Sequence, residues 1–241
     1  MGIERSIKVV DQNNNEFLPS DLYYGDGYGS TRSGCGLNNT CVAGLFTLHF
    51  QDAIASNSFG FDDCNPSGGT TVGQLRQDVA CQVFRDLSNL LFDVSNGANN
   101  GRVHIWMLSD QTYSSNIATW PGNNVGALNS TLYVLPAGLN NVMLDSEIWK
   151  TIRGGQNSYL NLPPQFNPPN SNAGMYHGLI AVNFGGASAW NLNLDVATPN
   201  NSTDLYTVIL HEAIHGLGFA SEIFSNGSSK LGGDLYLNNK S

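Results

Sequence analysis

Two stretches of this chain carry apolar residues at helical spacing. From Thr71 onward, Leu75, Val79, Val83, Leu87 and Leu91 recur every fourth residue, flanked by Val72, Ala80 and Phe84. A stripe of that width covers a sheet, so the spacing predicts an amphipathic helix that starts at Thr71 and ends by Gly97–Gly101. Its start, Thr71-Val72-Gly73-Gln74, matches the capping box, in which hydroxyl and amide satisfy each other's orphan backbone donors. The second stretch, Thr203 to Gly216, holds Leu205, Val208, Ile209, Leu210, Ala213 and Ile214. It is apolar nearly all round, which predicts a buried helix. Ser202 or Thr203 is placed to cap it, and Asp204 sits in the first turn, where the dipole favours an anion.

Strand patterns lie between these helices. Gly44–Phe50, Arg102–Leu108, Thr131–Leu135 and Leu179–Phe184 are short apolar or alternating runs closed by turn residues, Pro136 and Gly185-Gly186 among them. Residues 142–152, with Ile148 and Trp149, predict a short helix. Residues 11–40 and 57–70 read as turns and loops, and 154–172 reads as a loop because it contains Pro163, Pro164, Pro168 and Pro169. No repeat or domain boundary is visible. The whole chain, 1–241, reads as one α+β domain with a loop-rich N-terminal part over 1–43.

Composition narrows the function classes. Hydrophobic residues make up 41% and charged residues 12%, which excludes a disordered chain. No apolar run reaches the roughly 18 residues of a membrane span. Ten basic residues against 19 acidic ones leave a net charge of −9, which repels phosphate backbones and argues against nucleic acid as a partner. Cys35, Cys41, Cys64 and Cys81 cluster in a Gly/Asn-rich region without any C-x-x-C pair, so they read as one or two disulfides in an oxidising compartment, with three connectivities open. Secretion is the expected location. Met1-Gly2-Ile3-Glu4-Arg5 has neither the basic nor the apolar segment of a leader, so an exported form has lost it or begins upstream.

The chemistry lies in the second helix. His211, Glu212 and His215 interrupt its apolar sequence, and burying three polar side chains together costs about 1–3 kcal/mol each unless they have partners. A cation would supply those partners. Residues four apart share a helical face, so His211 and His215 can both reach one metal at about 2.0–2.1 Å. Glu212 points beside it, where its carboxylate can hold a water and take its proton.

Val208-Ile209-Leu210-His211-Glu212-Ala213-Ile214-His215-Gly216-Leu217-Gly218-Phe219 resembles the active-site helix of zincin metallopeptidases, particularly the metzincin and leishmanolysin-like types. The element order over residues 40–220 also resembles the zincin upper subdomain. The resemblance implies a mixed sheet with a backing helix, an edge strand beginning near Leu179, and a buried active-site helix. It implies Zn2+ held by His211 and His215, Glu212 as general base, and hydrolysis of protein or peptide substrates. Metzincins place a third histidine three residues past the glycine; here that residue is Ser221. No histidine follows His215, so the lower subdomain reads as short or missing and the third ligand as lying beyond Ser241, with Glu222 and Asp234 as alternatives within the chain. The rival reading is a catalytically inactive zincin-like binding or adhesion protein.

The remaining candidates have structural readings. His49 and His104 fall in strands and His177 in a loop before one; Trp106, Trp120, Trp149 and Trp190 read as core or cleft wall. Asn38, Asn129, Asn201 and Asn226 begin N-x-Ser/Thr sequons, and Asp26, Asp62 and Asp63 lack the spacing of an EF-hand calcium loop.

Overall fold

The computed structural model of the chain describes residues 8–11, 15–24, 35, 37, 39–50, 52, 59–91, 102–135, 145–162, 174–186 and 189–219. Strands β1 (Lys8–Asp11), β2 (Glu16–Phe17), β3 (Tyr23–Tyr24), β4 (Thr40–Ala43) and β5 (Phe46–Phe50) come first. The short strands β6 (Pro66–Ser67) and β7 (Thr70–Thr71) lead into helix α1 (Val72–Leu91). There follow β8 (Val103–Ser109), α2 (Asp110–Asn116), β9 (Ala127–Leu135), α3 (Glu147–Gly154), β10 (Gly174–Met175), β11 (Gly178–Val182), β12 (Ala189–Asn191), β13 (Ser202–Asp204) and α4 (Leu205–Gly216).

The architecture is mixed α+β. Seven strands form one mixed sheet in the order β2-β1-β9-β11-β8-β5-β4. β5, β8 and β11 run parallel, and β9 is antiparallel to β11. Period-2 alternation divides the side chains between the two faces. On one face Phe46, Leu48, Phe50, Val103, Ile105, Met107, Ile180 and Val182 meet α1 and α4. On the other, Trp106, Leu108, Leu132, Val134, Leu179 and Ala181 pack with Tyr113, Tyr159 and Tyr176.

The helix stripe is confirmed, since Val79, Val83 and Leu87 are buried in α1. The capping box forms only in part. Thr71 Oγ1 accepts the Gln74 N–H at 3.1 Å, but the Gln74 amide turns forward to Asp78 at 2.8 Å. Residues 92–101, where that helix was expected to end, lie outside the described residues. α3 begins later than expected because Ser146 caps it, accepting the Trp149 N–H at 3.1 Å, and Gly155 closes it in the left-handed conformation.

Four expectations are corrected. β11 is not an edge strand: β8 and β9 flank it, which accords with its continuous apolar run. The N-terminal part is not only loop, because β1 pairs with β9 across Lys8↔Leu135 to Asp11↔Leu132. The cap of α4 is Asp204, whose carboxylate accepts the Thr207 N–H at 2.9 Å, while Ser202 and Thr203 lie in β13. Finally, α4 is buried on one face only. Leu205, Ile209, Ala213 and Gly216 seat it on the sheet, whereas His211 is exposed and most of the other side is half-buried.

Both cysteine pairs are disulfides, Cys35–Cys64 and Cys41–Cys81. The second ties β4 to the middle of α1. Among the described residues no helix is long and apolar enough to cross a membrane.

Candidate active site

α4 presents its polar residues where it passes β9. His211 and His215, one turn apart, bring their Nε2 atoms to 2.9 Å, with the rings nearly perpendicular. Two nitrogens bound to one tetrahedral ion at about 2.0–2.1 Å lie about 3.3 Å apart, so this pair is close to the separation of two metal ligands. His215 Nδ1 lies 2.9 Å from the Phe219 carbonyl.

Glu212, the next residue on α4, is half-buried, and its carboxylate accepts the backbone N–H of Asn129 on β9. Burial pushes the Glu212 carboxyl above the usual carboxylate range, while His215, His211 and the Asn129 N–H pull it back. A half-buried carboxylate held by one backbone donor keeps lone pairs for a second partner.

β9 carries the polar support. Asn129 and Thr131 project on the α4 face, one residue out of phase with Leu132 and Val134 on the other. The Thr131 hydroxyl donates to Asn129 Oδ1 at 2.6 Å and lies 3.4 Å from the His215 carbonyl. Ser146, at the start of α3, donates to the Gly216 carbonyl at 3.3 Å. The last carbonyls of α4 thus find donors from Ser146 and from the turn that follows. Gly216 fits closely here: a Cβ would lie 3.0 Å from Asn129 Nδ2 and 3.1 Å from Ile148 Cδ1. Asn129, Thr131 and Ser146 carry no mark in the local sequence of their place beside the end of α4. Polar residues in the first half of β9 hid the strand's true start at Ala127.

Ser221, Glu222 and Asp234 lie outside the described residues. Among the described residues no group of three His, Cys, Asp or Glu side chains is arranged to hold a metal.

The other histidines gather on the opposite face of the sheet. His49 Nε2 and His104 Nδ1 are 2.9 Å apart. The His104 backbone N–H donates to His177 Nδ1 at 3.0 Å, and His177 Nε2 lies 3.2 Å from Asn157 Oδ1. His177 lies in the turn before β11, as expected, and is fully buried. Burial first, then neighbouring positive charge, lowers His49 and His177 to about 3 and His104 to about 4. Neutral, hydrogen-bonded imidazoles give these residues a structural role.

The remaining sequence candidates are also structural where described. Asp62 and Asp63 join a hydrogen-bonded cluster with Asp52 and Arg76, whereas Asp26 lies outside the described residues. Trp106 is buried and stacked on Tyr176, and Trp190 donates to the Asn183 carbonyl. Of the sequons, Asn129 is buried in β9 and Asn201 is exposed; Asn38 and Asn226 lie outside the described residues.

No family model, curated protein or solved structure matches this chain.

Proposed function

We propose that this chain is a zincin-like catalytic domain, a secreted zinc-dependent endopeptidase, with His211 and His215 as metal ligands and Glu212 as general base. The convergence of the two Nε2 atoms at 2.9 Å on one helical face carries this reading. The donor set fits zinc, which takes imidazole nitrogen readily and has three protein ligands in catalytic sites. Zinc, when bound, supplies Lewis acidity toward a peptide carbonyl and toward water.

The chain's own residues do the rest. His211 and His215 hold the ion at the exposed side of α4. Glu212, anchored through Asn129, accepts a proton from the attacking water on a carboxylate oxygen and passes it to the departing amine. Thr131 and Ser146 hold the end of α4 against β9 and α3, so that the histidines and Glu212 keep their relative positions. Strand β9, antiparallel to β11 and packed against α4, supports the zincin reading. Two disulfides support the oxidising compartment expected of a secreted enzyme.

Elemental analysis after dialysis, together with hydrolysis of a generic protein substrate before and after chelation, tests the proposal. Close to one zinc per chain and hydrolysis that is lost on chelation and restored by zinc are expected. Absence of both sinks the reading. Zinc retained without hydrolysis favours the non-catalytic binding protein on the same scaffold.

A further inference from the structure

We propose that the turn Leu217–Phe219 is a positioning device for His215: the Phe219 carbonyl keeps the imidazole proton on Nδ1, so that the Nε2 lone pair is turned toward His211. The metal consequence of this proposal rests on the zinc reading above; the location of the proton does not.

A carbonyl oxygen only accepts hydrogen bonds, so the 2.9 Å contact between His215 Nδ1 and the Phe219 carbonyl requires the hydrogen on Nδ1. A neutral ring then carries its lone pair on Nε2. The neighbouring His211 Nε2, 2.9 Å away, must supply the hydrogen between the two rings. The pair is therefore asymmetric in the metal-free chain. His215 is preset as a ligand, and His211 exchanges its Nε2 proton for a metal bond.

The turn that aims the carbonyl is specific. The Gly218 N–H donates to the His215 carbonyl at 2.9 Å and the Phe219 N–H to the Ile214 carbonyl at 3.3 Å, the two bonds of a Schellman motif. Gly218 has φ +101°, in the left-handed region. No described residue lies within 4 Å of a Cβ placed there, and the left-handed conformation calls for glycine. The Phe219 side chain is 74% exposed, so it forgoes the apolar contact that usually accompanies this motif. What the turn contributes to the site is the backbone carbonyl. A hydrogen bond from the far ring nitrogen to a carbonyl is the general means by which proteins orient an imidazole toward a metal.

Long-range proton–nitrogen correlation spectra of the histidine-labelled full chain, stripped of metal at mildly alkaline pH, read the proton's location directly. His215 is expected as the Nδ1–H form and His211 as the Nε2–H form. Free imidazole favours Nε2–H, so a merely structural turn would not produce this pattern. His215 found as Nε2–H overturns the proposal without any variant. Gly218→Ala, which strains the turn without a clash, is expected to mix the two forms of His215 and to weaken zinc binding about 10- to 100-fold in competition with a chromophoric chelator. Gly218→Asn, which tolerates left-handed backbone better, is expected to lose less. Wild-type spectra and zinc affinity in Gly218→Ala overturn the role of the turn. His215 as Nδ1–H in a wild-type chain that binds no zinc supports the positioning and overturns the metal reading instead.

Discussion

The backbone N–H of Asn129, on strand β9, donates a hydrogen bond to the carboxylate of Glu212, on helix α4. Through it the candidate base is tied to the sheet, independently of the two histidines that flank it on the helix. The candidate base and the candidate metal ligands are thus held by different contacts, and substitutions should separate them.

Glu212→Gln retains an oxygen for the Asn129 N–H but loses the basic carboxylate. Zinc content should stay near wild type while peptidase activity falls by roughly 10²–10⁴-fold. His211→Ala and His215→Ala should instead lose metal and activity together. Parallel zinc analysis and rate measurements on the three variants check this; full activity in Glu212→Gln rejects the mechanism.

Gly216→Ala should loosen the same junction from the other side. Its new methyl would press on Nδ2 of Asn129, whose amide oxygen accepts from Thr131, and on Ile148, buried in the core. Neither gives way freely, so the helix end must shift, at a cost of about 1–3 kcal/mol. Denaturant midpoints should fall, and activity should fall further than zinc content because the Glu212–Asn129 contact moves. An unchanged midpoint would show that the junction tolerates the methyl.

Acid should destabilise the fold through the buried histidines. His49 and His177 stay neutral down to about pH 3 and His104 to about pH 4, whereas unfolded histidine titrates near 6.5. Between those limits the unfolded chain binds more protons, so stability is fully present above about pH 6.5 and is lost as pH falls, by about 1.4 kcal/mol per histidine per unit. Asp62, raised to about 6 by burial and the charge of Asp52, works in the opposite direction within the window. His177→Gln isolates the histidine contribution. Its stability should fall less steeply between pH 6 and 4, and a slope equal to wild type would reject this role.

Reduction should cost stability at two points. The bridges Cys35–Cys64 and Cys41–Cys81 span 29 and 40 residues, and loops of that length correspond to roughly 3–4 kcal/mol each on the chain-entropy account. Thiol titration of the denatured, unreduced protein should find no free sulfhydryl, and reductant should lower the unfolding midpoint. Four titratable thiols in material from an oxidising compartment would contradict the pairing.

Local periodicity was enough to locate α1 and α4, because Val79, Val83 and Leu87, or Leu205, Ile209 and Ala213, share a face through helical geometry alone. It also placed His211 and His215 one turn apart. What periodicity cannot carry is a partner distant in the chain. The pairing of β1 with β9, the place of β11 inside the sheet and the choice among three disulfide connectivities all depend on contacts between residues far apart in sequence. Asn129 is the sharpest case: in sequence it begins a sequon in a polar stretch, and only the antiparallel run of β9 beside α4 brings its N–H to Glu212. The helix is written in the spacing of its own side chains, whereas the partner of Glu212 is set by which strand the sheet lays beside that helix.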